Sequence, residues 1–142
     1  MEKIIHPSLI LWPVLAQVAL TIVMYALLAI RKAKVVRSGG FNRQSTALDN
    51  KAWPADVVKV SNNIDNQFES PILFYVVCLV LYSTNGVSVT VLALAWVYVL
   101  SRCVHAYVHT HSNYVPARLR VFMVGIVVLV LLVVSAAWQL AK

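Results

Sequence analysis

The sequence predicts an all-α membrane protein, a bundle of four transmembrane helices, from three observations. Of its 142 residues, 61% are hydrophobic and 12% are charged, and the mean hydropathy of +0.78 lies outside the range of soluble domains. Apolar runs long enough to cross a bilayer alternate with polar connections. The length permits one domain of about four such spans.

The first helix is predicted over residues 7–30, an apolar run with a proline near its start, where a bundle helix tolerates a kink. A cleavable signal peptide is the alternative interpretation, but the run is longer than a usual signal-peptide core and no small-residue cleavage site follows it. We therefore expect a retained helix. One long loop follows at residues 31–55, with Gly39 and Gly40 as the helix stop.

The second helix, predicted without a break over residues 56–82, joins a polar half to an apolar half. The apolar half is too short to span a bilayer, which takes roughly 20 residues, so the polar half has to reach membrane depth. Its polar side chains recur at spacings of three and four and are predicted to share one helix face. These residues are Lys59, Asn62, Asn63, Asn66 and Glu69. Inserting an ionisable side chain into a membrane costs about 2.5–3.5 kcal/mol, so such residues commonly indicate a functional site.

The third helix is predicted over residues 87–111, after an uncharged turn at residues 83–86, and the fourth over residues 117–140. The third helix is apolar at first and then polar, and its polar residues have spacings that place them on one face. These residues are Tyr98, Arg102, His105 and His109. The link between the third and fourth helices is short, so they should pack antiparallel.

The distribution of basic residues predicts the topology of this multi-pass protein. Seven of the twelve flank the first connection and three flank the third, whereas the second connection and the termini carry only Lys3 and Lys142. The positive-inside rule then places the first and third connections in the cytoplasm. This distribution also accounts for the net charge of +7, so we expect membrane lipid, and no nucleic acid, as a partner.

Cysteine labelling tests this topology. In a background without Cys78 and Cys103, a membrane-impermeant maleimide added to intact cells should leave Ser45→Cys in the first connection unmodified. Ser83→Cys, in the second connection, should react and serves as the matched control. Labelling of Ser45→Cys from the outside would contradict the prediction.

Polar residues of the second, third and fourth helices are predicted to meet at the cytoplasmic end of the bundle. One interpretation is structural, with Glu69 and Asp65 paired to the cations Arg102 and Lys59 as internal struts. The alternative starts from the charge at this level, where four cations face two acids, and this surplus favours an anionic ligand. The cations are Lys59, Arg102, Arg118 and Arg120.

The third helix offers candidates for two further kinds of site, a metal site and a cysteine nucleophile. His105 and His109 lie four residues apart, a spacing that can present two imidazoles to one metal ion. No Glu stands between them and the nearby acids lie on another helix, so no metal site is predicted. Cys103 lies off the polar face, which makes it a poor nucleophile candidate. Any catalysis here would therefore belong to a bound thiol or similar cofactor.

Three elements together resemble the MAPEG family, the membrane-associated proteins in eicosanoid and glutathione metabolism, and look like a bacterial-type branch of it. They are the run Asn66-Gln67-Phe68-Glu69-Ser70-Pro71, the pair Arg102 and His105, and Arg118 at the start of the fourth helix. The resemblance covers the whole chain. It implies a four-helix bundle assembled as a homotrimer, with glutathione bound between neighbouring subunits near the cytoplasmic side.

The resemblance also implies roles for single residues. Asn66 and Glu69 would hold the peptide part of glutathione. Arg102 and His105 would line the site, and Arg118 would be the catalytic residue that stabilises the thiolate.

The sequence departs from the family pattern at three positions. Asn62 stands where an Arg is usual, and His109 and Phe122 stand where Tyr is frequent. Asn62 and His109 still fall at positions that line the glutathione site in the family. Arg120 would either replace the lost cation there or anchor its helix at the membrane surface.

The leading hypothesis from the resemblance is an integral membrane glutathione-dependent transferase or peroxidase that acts on a lipophilic electrophile delivered from the bilayer. In a bacterium it would lie in the inner membrane. The alternative is a non-catalytic membrane scaffold whose degenerate site binds lipid or a small anion. A small transporter is disfavoured, because three of the four helices lack mid-membrane polar groups or the interruption typical of broken transporter helices.

Overall fold

The computed structural model describes residues 5–142, and its regular structure there is helical. Six α-helices follow one another, and short 3-10 turns precede the first and third of them at Pro7–Ile10 and Asn50–Ala52. The α-helices are α1 (Leu11–Ser38), α2 (Arg43–Leu48), α3 (Ala55–Gln67), α4 (Ser70–Ser83), α5 (Val89–Thr110) and α6 (Val115–Leu140).

Four segments are long and apolar enough to cross a membrane, as the sequence predicts: Pro7–Ser38, Ala55–Ser83, Val89–Thr110 and Val115–Leu140. α5 and α6 form an antiparallel hairpin, and α1 packs against α3, α4 and α5. The predicted four-helix membrane bundle is therefore confirmed.

The first helix is longer than predicted, because it continues past residue 30 to Ser38. The added residues are mostly Arg, Lys and Ala, which have high helix propensity. Gly39 ends the helix with a left-handed backbone, φ 69°, a conformation that glycine adopts at little cost. The irregular connection is therefore shorter than the loop predicted over residues 31–55, and it contains the short helix α2.

The second span contains a break, so the prediction of an uninterrupted helix over residues 56–82 was wrong. α3 ends at Gln67 and α4 begins at Ser70, and Glu69 between them has φ −96° and ψ −102°. Pro71 explains the break, because it has no N–H to donate to the Gln67 carbonyl and its ring clashes with that carbonyl. The break leaves the last carbonyls of α3 without helical donors.

The core between the α3–α4 break and the α4–α5 turn is apolar and aromatic. Phe74 stacks on Tyr98 with ring centroids 4.3 Å apart, and the Tyr98 hydroxyl is 2.9 Å from Ser70 Oγ. On α6, Gly125 lies against α5, and a Cβ there would come within 3.0 Å of Ser101 Oγ. This close approach brings α6 up to the polar face of α5.

At the end of the bundle away from the α4–α5 turn, which we call the polar end, side chains of α1 and α3 connect three helices. Arg31 donates to the Asp56 carbonyl at 2.6 Å and to the Thr110 carbonyl at 3.0 Å. Lys59 donates to the His111 carbonyl at 3.4 Å. Both cations thus lie at the C-terminus of α5, where the helix dipole favours positive charge.

Candidate functional site

A cavity of about 220 Å³ opens at the polar end, between the α3–α4 break, α5 and the start of α6. Its wall combines polar and apolar side chains from these three elements. The lining residues are Asn66, Glu69, His105, Val115, Arg118, Leu119 and Phe122. Four of the residues proposed from the sequence, Asn66, Glu69, His105 and Arg118, are therefore brought to one place.

Arg102 is buried directly behind this wall and does not line the cavity in the single chain. Its side chain is 1% exposed, and Nη2 donates to the Asn66 carbonyl at 3.0 Å. That carbonyl belongs to the last turn of α3, which the break deprives of helical donors. Arg102 also lies over the Phe122 ring, 5.9 Å from its centroid. Its Nε has no partner among residues 5–142.

Arg118 and Glu69 place opposite charges on the cavity wall. Arg118, in the first turn of α6, is half-buried and donates from Nη1 to Asn113 Oδ1 at 2.8 Å. A guanidinium carries five N–H donors, so most of its donors stay available. Glu69 is exposed, and its carboxylate forms no ion pair or hydrogen bond within residues 5–142. Both charged groups can therefore meet a ligand.

The internal struts considered from the sequence do not form within one chain. Among residues 5–142, the one ion pair joins Lys59 to Asp56, at 3.5 Å. Asp65 and Glu69 are exposed, so neither acid is paired with Arg102 or Lys59.

The polar face of α5 is as predicted. Tyr98, Arg102, His105 and His109 are all at most 3% exposed, and Cys103 lies off this face and is exposed. The rings of His105 and His109 meet edge to face with centroids 5.6 Å apart. His105 Nδ1 is buried and has no partner among residues 5–142, whereas His109 Nδ1 faces the side chains of two asparagines on α3.

The shared polar face predicted for α3 was wrong in part. Asn62 is exposed and Asn63 is fully buried, because neighbouring residues on a helix point about 100° apart. Asn62 and Arg120 both lie outside the cavity wall, and Arg120 is exposed. Arg120 therefore does not replace, on the cavity wall of the single chain, the Arg usual in the family.

Two buried glutamines contact the polar side chains of α3 and were missed. Gln17 Nε2 donates to Gln67 Oε1 at 2.9 Å, and Gln67 Nε2 donates to Asn63 Oδ1 at 3.2 Å. Gln17 stands as a lone amide in an otherwise apolar run. A buried amide in a transmembrane helix needs a partner, and this feature of the sequence pointed to Gln17.

One of three comparisons with known proteins found a match. The MAPEG family model matches residues 9–138, nearly the whole chain. Neither the search of curated proteins nor that of solved structures found a match. Four apolar spans in one helical bundle fit the family match. The chain therefore belongs to the MAPEG family and is a multi-pass membrane protein of the glutathione and eicosanoid metabolism group.

Proposed function

We propose that the protein is a glutathione-dependent transferase or peroxidase that acts on a lipophilic electrophile. The observation that carries this proposal is the pair of opposite charges on the cavity wall, Glu69 and Arg118, each with unused hydrogen-bonding capacity. A tripeptide with an ammonium group, carboxylates and a thiol complements such a wall. Membership of a family in glutathione and eicosanoid metabolism supports the same ligand class.

Three residues of the chain would contribute to binding and activating glutathione, each in a different role. Glu69 accepts hydrogen bonds from the ammonium group of the peptide. Arg118 directs a cation at the thiol sulfur and favours its deprotonated form, which is the nucleophile that glutathione supplies. Arg102 holds the Asn66 carbonyl and so keeps the end of α3 in place behind the wall.

The apolar part of the wall suits the second substrate. Val115, Leu119 and Phe122 are spaced by four and three and share one face of α6. A lipophilic electrophile partitions into the bilayer, whereas glutathione reaches the polar end from the cytosol, given the topology proposed above. A site on this boundary meets both substrates.

The cavity of one chain supports an assembly in which a neighbouring subunit completes the site. Ligand pockets usually enclose about 300–1,000 Å³, and this cavity is open and holds about 220 Å³. A homotrimer, as in the family pattern, would supply the missing wall of this cavity.

Native mass spectrometry in mild detergent tests the assembly. We expect three copies of the 15.8 kDa chain, because the cavity of one chain is open and smaller than usual ligand pockets, so neighbouring subunits have to complete it. A monomeric mass that persists across several mild detergents would contradict the trimer.

A conjugation assay tests the function. Detergent-solubilised protein should accelerate the reaction of glutathione with a lipophilic aryl chloride, and the same protein with both Glu69→Gln and Arg118→Ala should not. Equal rates for the two proteins would count against the enzyme.

The second candidate is a non-catalytic membrane protein whose site binds lipid or a small anion. Two observations favour it. Asn62 stands exposed where the family usually has an Arg, and Arg102 is buried behind the wall and does not line the cavity. On this alternative, Arg118 binds anions and the assay with the aryl chloride shows no acceleration.

A further inference from the structure

A chain of buried side-chain amides leads from α1 to the cavity wall. It consists of Gln17, Gln67 and Asn63, each at most 1% exposed, and we call it the amide chain. Each member donates to the oxygen of the next, Gln17 to Gln67 and Gln67 to Asn63. At its end, Asn63 Nδ2 lies 3.4 Å from His109 Nδ1, and Asn66 Nδ2 lies 3.3 Å from the same ring nitrogen.

The direction of these hydrogen bonds favours one tautomer of the His109 ring. Asn63 uses its Oδ1 to accept from Gln67, so the group that it turns to His109 is an NH₂, which only donates. A neutral His109 ring with its proton on Nε2 can accept from this group at Nδ1, so the amide chain favours that tautomer. Asn66 faces the same acceptor and has to donate as well.

This arrangement orients the Asn66 side chain toward the cavity. Its NH₂ is committed to His109, and its backbone carbonyl accepts from Arg102. The side-chain oxygen is left without a partner among residues 5–142, and Asn66 lines the cavity. The α3 side of the wall thus offers acceptors from Asn66 and Glu69, while the α6 side offers the donors of Arg118.

Gln17 satisfies one buried acceptor, Gln67 Oε1, and leaves its own oxygen unsatisfied. Its Oε1 is fully buried without a partner in the described chain, and such a group costs about 1–3 kcal/mol. An apolar side chain at this position would remove that oxygen but would leave Gln67 Oε1 without its donor, so the two effects offset each other. Stability therefore does not favour Gln17 over an apolar residue, and polar groups kept inside membranes commonly serve function.

We propose that Gln17 is a positioning residue that, through the amide chain, holds His109 in its Nε2–H form and makes Asn66 present an acceptor to the cavity. The cavity then selects a ligand whose N–H or ammonium group faces α3 and whose anionic group faces α6. The consequence for glutathione rests on the proposed function, whereas the state of the His109 ring does not.

Nitrogen-15 NMR of the imidazole rings tests this role in the detergent-solubilised protein, with His109 assigned through His109→Gln. Wild type should show His109 in the single Nε2–H form. Gln17→Met keeps the length of the side chain and removes the first donor, so Gln67 and Asn63 are free to turn and both tautomers should appear. Gln67→Met interrupts the next link and should give the same mixture. Gln139→Met is the matched control, because Gln139 donates to the Thr84 carbonyl at the other end of the bundle.

Melting temperature and glutathione affinity complete the test. Gln17→Met should melt close to the wild-type temperature, because it removes one unpartnered buried oxygen and leaves another, Gln67 Oε1. It should bind glutathione about threefold to tenfold more weakly, the worth of one misoriented hydrogen bond. An Nδ1–H ring in wild type, or an unchanged tautomer in both Gln17→Met and Gln67→Met, would overturn the proposal. If wild type binds no glutathione, the proposed function fails, and the tautomer result still decides the role of Gln17.

Discussion

Arg118→Ala should lower the rate of glutathione conjugation by about a hundredfold or more, the usual effect of removing one donor from a site of developing charge. Arg118 is the cation on the cavity wall, and most of its donors are free for the thiol sulfur. Glutathione should still bind within roughly tenfold of wild type, because Glu69 and Asn66 keep their contacts with the peptide. The conjugation rate, and the ultraviolet absorbance of the thiolate at saturating glutathione, measure the two effects separately.

Arg120→Ala is the matched control for this prediction. Arg120 lies two residues further along α6, is exposed and does not line the cavity. Its removal should leave the rate and the thiolate absorbance near wild type. Equal losses in the two variants, or full activity in Arg118→Ala, would show that Arg118 is not the group that stabilises the thiolate.

Arg102→Ala should lower the melting temperature both with and without glutathione and weaken glutathione binding by about tenfold or more. The lost charge-assisted hydrogen bond is worth about 1.5–3 kcal/mol, and its removal leaves the Asn66 carbonyl buried without a donor. The end of α3 then shifts, and the cavity residues Asn66 and Glu69 shift with it. Thermal melting and calorimetric titration with glutathione measure the two losses.

Two variants separate this effect from a general loss of packing. Cys103→Ala changes the exposed neighbour and should melt close to wild type. Arg102→Lys keeps the charge but lacks the planar fork of donors, so it should restore only part of the stability. A melting temperature unchanged in Arg102→Ala would contradict the role assigned to its bond with the Asn66 carbonyl.

Much of the bundle could be predicted from the sequence, because membrane spans depend on the length of apolar runs, which a sequence shows directly. The polar face of α5 was also predictable, since its residues repeat at helical spacing and the helix is straight enough to keep them aligned. The break at Glu69 was not predicted, although its cause, Pro71, is visible. A proline can kink a helix, begin a new one or be absorbed at its first turn, and only the packing around it decides among these outcomes.

The candidate site was predictable in its composition more than in its contacts. The sequence placed both Arg102 and Arg118 at the cytoplasmic end of the bundle. In the structure, Arg118 lines the cavity, whereas Arg102 donates to a backbone carbonyl. The sequence could not show this difference, because the free carbonyl exists only as a result of the helix break. Asn62 and Asn63 were likewise grouped together by spacing, and the tertiary packing turned one outward and the other inward.

The central claim, that the cavity at the polar end binds glutathione, is tested most directly by thermal melting of the detergent-solubilised wild-type protein with and without glutathione. A ligand at ten times its dissociation constant stabilises the folded state by about 1.4 kcal/mol. We therefore expect roughly 10 mM glutathione to raise the melting temperature of wild type, consistent with a dissociation constant at or below about 1 mM, and to leave the variant with both Glu69→Gln and Arg118→Ala unchanged. A wild-type melting temperature that does not respond to glutathione at this concentration would contradict the claim and favour the non-catalytic alternative.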